Sequence, residues 1–162
     1  MKANDAASPP SGLSLKARAV GYLSRREHSR AELERKLARH AADEDDVRAV
    51  LDSLEKEGWL SNERFAQSLV HRLAPKRGAA RIVQELRQHG IDTDQVSALR
   101  QSLHESELPR ARDVWRKRFK APPADANERA KQIRFLMARG FSQSTIRRVL
   151  GDMESDDADS EY

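Results

Sequence analysis

Thirty lysines and arginines and five histidines are the groups with which this 162-residue chain could do chemistry. The histidines, His28, His40, His71, His89 and His104, form no HExxH motif and no tight pair with carboxylates. A zinc site or a general base needs such convergence. His40 and His89 fall at the last turn of equivalent helices, where an imidazole suits the negative end of the helix dipole. There is no cysteine, so thiolate ligands and disulfides are excluded and a reducing cytoplasm is the fitting compartment. Neither GxxxxGK nor GxGxxG occurs, and the glycines are expected at helix ends. The serines read as N-caps, and Asp43 to Asp46 reads as an acidic helix start that complements the dipole. No catalytic residue, cofactor or metal is expected.

The bases are different because they cluster. Arg25, Arg26, Arg30, Arg35, Lys36 and Arg39 lie close together, and Arg72, Lys76, Arg77, Arg81 and Arg87 form a second group. Arg110, Arg112, Arg116, Lys117, Arg118 and Lys120 form a third. Guanidinium and ammonium groups in such numbers suit phosphates or an acidic protein surface. Some must serve as local pairs, such as Glu32 with Lys36 four residues on. Arg25, Arg26, Arg30, Arg35, Lys36, Arg39, Arg72, Lys76, Arg77, Arg81, Arg116 and Lys117 are the candidate binding set. Charge is also uneven along the chain. Of 26 acids, six lie in the terminal GDMESDDADSEY, which holds no base, so residues 1–150 carry about +10.

The elements that must position these cations follow from an internal repeat. LARHAADEDDVRAVL from Leu37, LRQHGIDTDQVSAL from Leu86 and LMARGFSQSTIRRVL from Leu136 start 49 and then 50 residues apart. Four positions on stand Ala41, Gly90 and Gly140, where a helix can stop in a left-handed cap. Ten positions on come Val47, Val96 and Ile146; thirteen on come Val50, Leu99 and Val149. Each unit reads as three short helices. The first runs from Ser14 to Arg26, the second starts at a Ser29–Glu32 capping box, and the third starts near Asp43. The next unit opens at Ser61, continues through Ile82 and Leu86, and ends in a helix capped by Asp92. The last opens around Pro109, with Asp125 and Glu128 capping its middle helix, which carries Ile133, Leu136 and Met137. Its final helix carries Ile146, Val149, Leu150 and Met153. Trp59 and Trp115 read as core or interface packing. No stretch alternates long enough to be a strand.

The expected fold is therefore all-α, an elongated, curved array of three tandem, helix-turn-helix-like units. Residues 1–13 form a disordered polar leader, without the apolar run of a signal peptide or membrane span. The units span 14–57, 58–104 and 105–151, and 152–162 is a disordered acidic tail. The joints fall at Glu57-Gly58, at His104 to Leu108, and at Ala121-Pro122-Pro123-Ala124.

YLSRREHSRAELERKL, from Tyr22, resembles the opening motif of the RecX regulators of the RecA recombinase. LEKEGWLSNERFAQSLVHRLAPKRGAARIVQELRQHGI resembles the central stretch of that family, and RFLMARGFSQSTIRRVL its last unit. The likeness covers residues 14–151. Asn62 departs from it, standing where the family has an acid after the N-cap serine. So does Lys76-Arg77-Gly78, which is followed by alanines rather than a second glycine. The resemblance implies a protein that binds RecA filaments, in the groove or at the growing end, and suppresses recombinase, ATPase and co-protease activities; a monomer is expected. The resemblance thereby implies a role in DNA repair and the SOS response, with weak, non-sequence-specific DNA binding. A helix-turn-helix transcription regulator is the alternative, because a three-helix unit mimics such a domain.

Overall fold

The computed structural model describes residues 12–158, with side chains described for 12–151. Among the described residues there are nine helices and no strand. Most of the expected leader, residues 1–11, lies outside the described residues, as do 159–162 and the side chains of the acidic stretch from 152. By internal contacts the chain divides into two bodies, Met1–Ser61 and Asn62–Tyr162.

In the first body, α1 (Leu15–Leu23), α2 (Arg30–Ala38) and α3 (Glu44–Lys56) enclose Ala19, Leu33, Leu37, Val47, Leu51, Leu54 and Leu60. Each helix start has a side-chain acceptor for an otherwise unpaired amide. Ser14 Oγ accepts from Ala17 N at 3.1 Å, Ser29 Oγ from Glu32 N at 3.2 Å, and Asp43 Oδ1 from Asp45 N at 3.0 Å. α1 stops short of the expected Arg26. Ser24 Oγ donates to the Val20 carbonyl at 2.7 Å, and the amides of Arg25 and Arg26 both fold back on Tyr22 O. That tight turn carries His28 into the interior, where it is only 2% exposed.

The second body holds α4 (Asn62–Leu73), α5 (Ala79–Gln88), α6 (Thr93–Glu105), α7 (Glu107–Arg118), α8 (Ala126–Ala138) and α9 (Gln143–Ala158). α4 to α6 close around Phe65, Leu69, Ile82, Leu86, Val96 and Leu103. α7 to α9 close around Trp115, Leu136, Phe141, Ile146, Val149 and Leu150. Gly90 and Gly140 are left-handed, with φ of 73° and 89°. Ile91 N then reaches back to Leu86 O and Phe141 N to Leu136 O, closing α5 and α8 alike. Ala41 does not follow them: among the described residues no non-glycine has positive φ. Gly21 inside α1 and Gly151 inside α9 do not meet the expectation of glycines at helix ends. The joint expected over His104 to Leu108 is shorter than that, because only Ser106 separates α6 from α7. Met137, expected inside, is 46% exposed. The stripe of α8 turns instead on Gln132, Ile133 and Leu136. Trp115 is buried, its indole donating to Gln132 Oε1 at 2.8 Å, whereas Trp59 stands 44% exposed.

Candidate functional site

Within the second body, the second three-helix unit is fastened to the third by two charged residues at the start of α7. Glu107 is buried, and its Oε1 accepts from Ala79 N at 3.1 Å, capping α5 from another unit. Its Oε2 accepts from Ser142 Oγ at 2.9 Å and Thr145 Oγ1 at 2.7 Å. Burial would push this carboxyl up, but the donors from Thr145, Ala79 and Ser142 outweigh it and hold it below the usual carboxylate range. One turn on, the Arg110 guanidinium donates to the carbonyls of Ala74 at 2.9 Å, Arg77 at 2.6 Å and Leu103 at 2.9 Å. The Ala74 and Leu103 carbonyls lie where α4 and α6 end, and that of Arg77 directly precedes the Gly78 N-cap of α5, so Arg110 serves as a shared C-terminal cap and also pins the α4–α5 turn. Desolvation pulls its pKa down.

Gly78 completes the fastening. Its amide donates to Arg139 O at 2.8 Å, and a Cβ there would overlap the Gly140 carbonyl and Phe141 N. The Lys76-Arg77-Gly78 segment is thus a contact between units, formed where only hydrogen fits.

This junction shapes a cleft of about 360 Å³ between the α4–α5 turn and α7–α8. Val114 and Phe135 form its apolar floor, and Lys76, Lys117, Arg118 and Arg139 stand around it. All four are exposed, and none of them pairs with a carboxylate among the described residues. Arg139 lies over the Phe135 ring, 4.7 Å from its centroid, and Arg118 lies 5.3 Å from Phe119 and 5.9 Å from Phe135. Phe119 and Phe135 meet edge to face at 5.2 Å. A guanidinium stacked on a ring keeps its in-plane N–H groups for another acceptor. An adjoining cleft shares Phe135 and Arg139 with Arg77 and Arg81. There, Arg77 pairs with Glu85 at 2.8 Å and Arg81 Nε donates to Ala138 O at 3.2 Å.

Of the residues singled out in the sequence, Lys76 and Lys117 line this cleft, and Arg77 and Arg81 line its neighbour. Arg72 is exposed on α4, and Arg116 is exposed on α7 with Asp113 at 3.9 Å. The remaining six lie in the other body. Arg25, Arg35 and Arg39 are exposed there. Arg30 reaches Asp52 at 2.8 Å and Glu55 at 3.1 Å, tying α2 to α3. Arg26 pairs with Glu32, and Lys36 sits 3.7 Å from the same carboxylate. Lys36 Nζ also donates to His28 Nε2 at 3.1 Å, while His28 Nδ1–H donates to Arg26 O at 3.0 Å. Burial lowers the His28 pKa.

Sequence reasoning missed Phe135 and Arg139. Phe135 stands between Ile133 and Leu136 and reads as one more core residue. Arg139 stands outside the three clusters, just before a capping glycine. His28 was also missed as a buried group. Among the described residues no cluster of His, Asp or Glu could hold a metal ion, and no helix is long and apolar enough to cross a membrane.

The chain matches three family profiles in order. They are described as the first three-helix domain of RecX over residues 16–54, the second over 61–99 and the third over 105–150. It is 56% identical over 155 residues to the regulatory protein RecX of Ralstonia nicotianae, covering 94% of this chain and 98% of that one. Against the regulatory protein RecX of Leptothrix cholodnii it is 55% identical, over 85% of this chain and 88% of the relative. In fold it is similar to a crystal structure of RecX from Lactobacillus salivarius, with a TM-score of 0.74 at 22% identity, over 87% of this chain and 95% of that one.

Proposed function

This chain belongs to the RecX family of regulatory proteins, and from that premise we propose that it binds filaments of the RecA recombinase and restrains them. The restraint falls on strand exchange, ATP hydrolysis and co-protease activity, and so on DNA repair and the SOS response. The observation that carries this reading is the near full-length likeness to proteins named as RecX regulators. The chemistry on the surface supports it. A RecA filament on DNA presents phosphates and carboxylates, and the second body presents exposed cations that have no carboxylate partner among the described residues. Binding by cations spread over several units suits a repeating ligand better than a small molecule. The protein acts by occupying its target rather than by turning over a substrate, inside the cytoplasm and as a monomer.

The test is RecA-mediated strand exchange with a substoichiometric dose of this protein. Slowed product formation at one molecule per many RecA protomers is the expected result. Unchanged exchange at an equimolar dose overturns the proposal. A footprint at one defined DNA sequence would instead support a transcription regulator.

A further inference from the structure

We propose that the cleft between the second and third units is a phosphodiester-binding site, which seats the backbone of a single nucleic-acid strand on Lys76, Lys117, Arg118 and Arg139. This gives the regulatory reading above a specific contact and rests on that reading for its biological setting. The binding itself is measurable without any recombinase.

Four observations point to this ligand chemistry. The four cations converge on one concavity, and neither it nor its floor contributes a carboxylate. They come from both units, Lys76 from the α4–α5 turn, Lys117 and Arg118 from the end of α7, and Arg139 from the end of α8. The two guanidiniums are oriented by ring contacts, Arg139 over Phe135 and Arg118 against Phe119 and Phe135, rather than by ion pairs. An arginine held this way pays little further ordering entropy when an oxyanion arrives, and its fork matches two phosphate oxygens. Finally, the floor of Val114 and Phe135 is apolar, as suits a strand whose bases pack while its phosphates face cations.

The neighbouring cleft with Arg77 and Arg81 does not share these properties. Glu85 already neutralises Arg77, and a backbone carbonyl takes the Arg81 Nε proton. An acidic peptide is the competing occupant. A phosphodiester is favoured because two planar guanidiniums and two lysines lining one cleft suit closely spaced, fixed oxyanions. The carboxylates of a peptide sit on longer, mobile side chains, each of which must be ordered separately.

The experiment measures binding of a fluorescently labelled single-stranded oligonucleotide to the full chain by anisotropy, as a function of salt. The variants are Lys76→Gln with Lys117→Gln, and a charge-matched control, Arg147→Gln with Arg148→Gln on α9. Both pairs are exposed, so folding is retained, and circular dichroism verifies it. The cleft variant is expected to bind on the order of tenfold more weakly at low salt. Its salt slope should fall by about 1.4 units, two phosphate contacts at about 0.7 each on a single strand. The control is expected to keep the wild-type slope. Equal losses in both pairs, or none in either, overturn the site. So does a cleft-dependent ligand that proves to be a poly-glutamate peptide rather than the oligonucleotide. Competition by millimolar inorganic phosphate, with loss of that competition in the cleft variant, supports a site for the phosphate itself. Strand-exchange inhibition is scored separately. A cleft variant that loses oligonucleotide binding yet still restrains RecA upholds the site, and a wild-type protein that binds the oligonucleotide but leaves RecA untouched overturns only the regulatory reading.

Discussion

Arg30 and Arg118 come from equally arginine-rich stretches, but one is engaged by acids and the other by rings. Arg30 lies between Asp52 and Glu55 of α3, and its neighbours Arg26 and Lys36 share Glu32. Arg118 and Arg139 lie against Phe119 and Phe135. The difference is made by the opposing helix. α3 turns Asp52 and Glu55 toward Arg30 of α2, whereas α8 turns Phe135 toward the end of α7. To an approaching anion a cation beside its own carboxylate is nearly neutral. A cation over a ring keeps almost its whole field. The number of arginines in a stretch therefore does not locate a binding surface; what faces them does.

The largest perturbation that separates the two regions is Gly78→Val. The new side chain would overlap backbone at Gly140 and Phe141, which cannot swing aside as a side-chain tip would. The amide bond from Gly78 to Arg139 O would go with it. The expected cost is about 3 kcal/mol or more, at the upper end for overpacking. Urea unfolding should show it, and oligonucleotide binding should fall as the cleft opens. A midpoint within experimental error of the wild type would mean that the close approach of α5 to the end of α8 constrains nothing. The first body, with its own core, should keep the protection of its α2 and α3 amides in hydrogen exchange.

The repeat made most of this architecture readable in advance. Leucines at 49- and 50-residue intervals, capping glycines at 90 and 140, and acids at 43, 92 and 125 are local signals, and local signals determine helix ends. What the sequence could not reveal lies between units. Glu107 looks like any first-turn acid, and only the packing shows that it caps α5 twenty-eight positions back. Arg110 looks like one more member of a basic cluster, yet its charge is turned inward on carbonyls. Of the candidate site, Lys76 and Lys117 were legible because they lie in dense basic runs. Phe135 and Arg139 were not, since a contact between a ring and a cation from different helices leaves no spacing rule behind.

A smaller effect sharpens the comparison directly. Arg30→Gln removes two ion pairs between helices, on partners that are partly or largely exposed to solvent. Pairs of that kind contribute less than about 1 kcal/mol. Arg118→Gln removes no ion pair among the described residues, so its stability should change by no more than about 0.5 kcal/mol. Affinity for the oligonucleotide should rank the other way, with Arg118→Gln the weaker binder. If Arg30→Gln lost more affinity than Arg118→Gln, pairing with carboxylates would not be what withholds an arginine from the ligand.

The smallest effect tests the first body by pH. His28 is buried, donates from Nδ1 to Arg26 O, and accepts at Nε2 from the Lys36 ammonium. The charged and titratable groups facing it are Arg26, Glu32, Lys36 and the Tyr22 ring, 5.8 Å away. Desolvation, reinforced by the charges of Arg26 and Lys36, lowers its pKa below the ordinary 6.5, outweighing the Arg26 carbonyl and Glu32. The unfolded chain then binds a proton that the folded chain refuses, so stability rises with pH. Stability is complete above about pH 6.5 and declines as the pH falls below it. Glu32 adds a loss in the same direction but lower down. Burial pushes its carboxyl up, yet Arg26 holds it below the ordinary 4.5, so its contribution begins to go only as that value is approached. Between about pH 7 and 5.5 the decline should therefore belong to His28. Amide protection factors at Leu33 and Leu37 are expected to decrease over that interval and to become flat in His28→Gln, whatever that substitution costs at neutral pH. A decline of equal steepness in the variant would place the titrating group elsewhere. A rise toward acid would mean that Glu32 outweighs burial and the two flanking cations, and that the first body holds His28 as a cation.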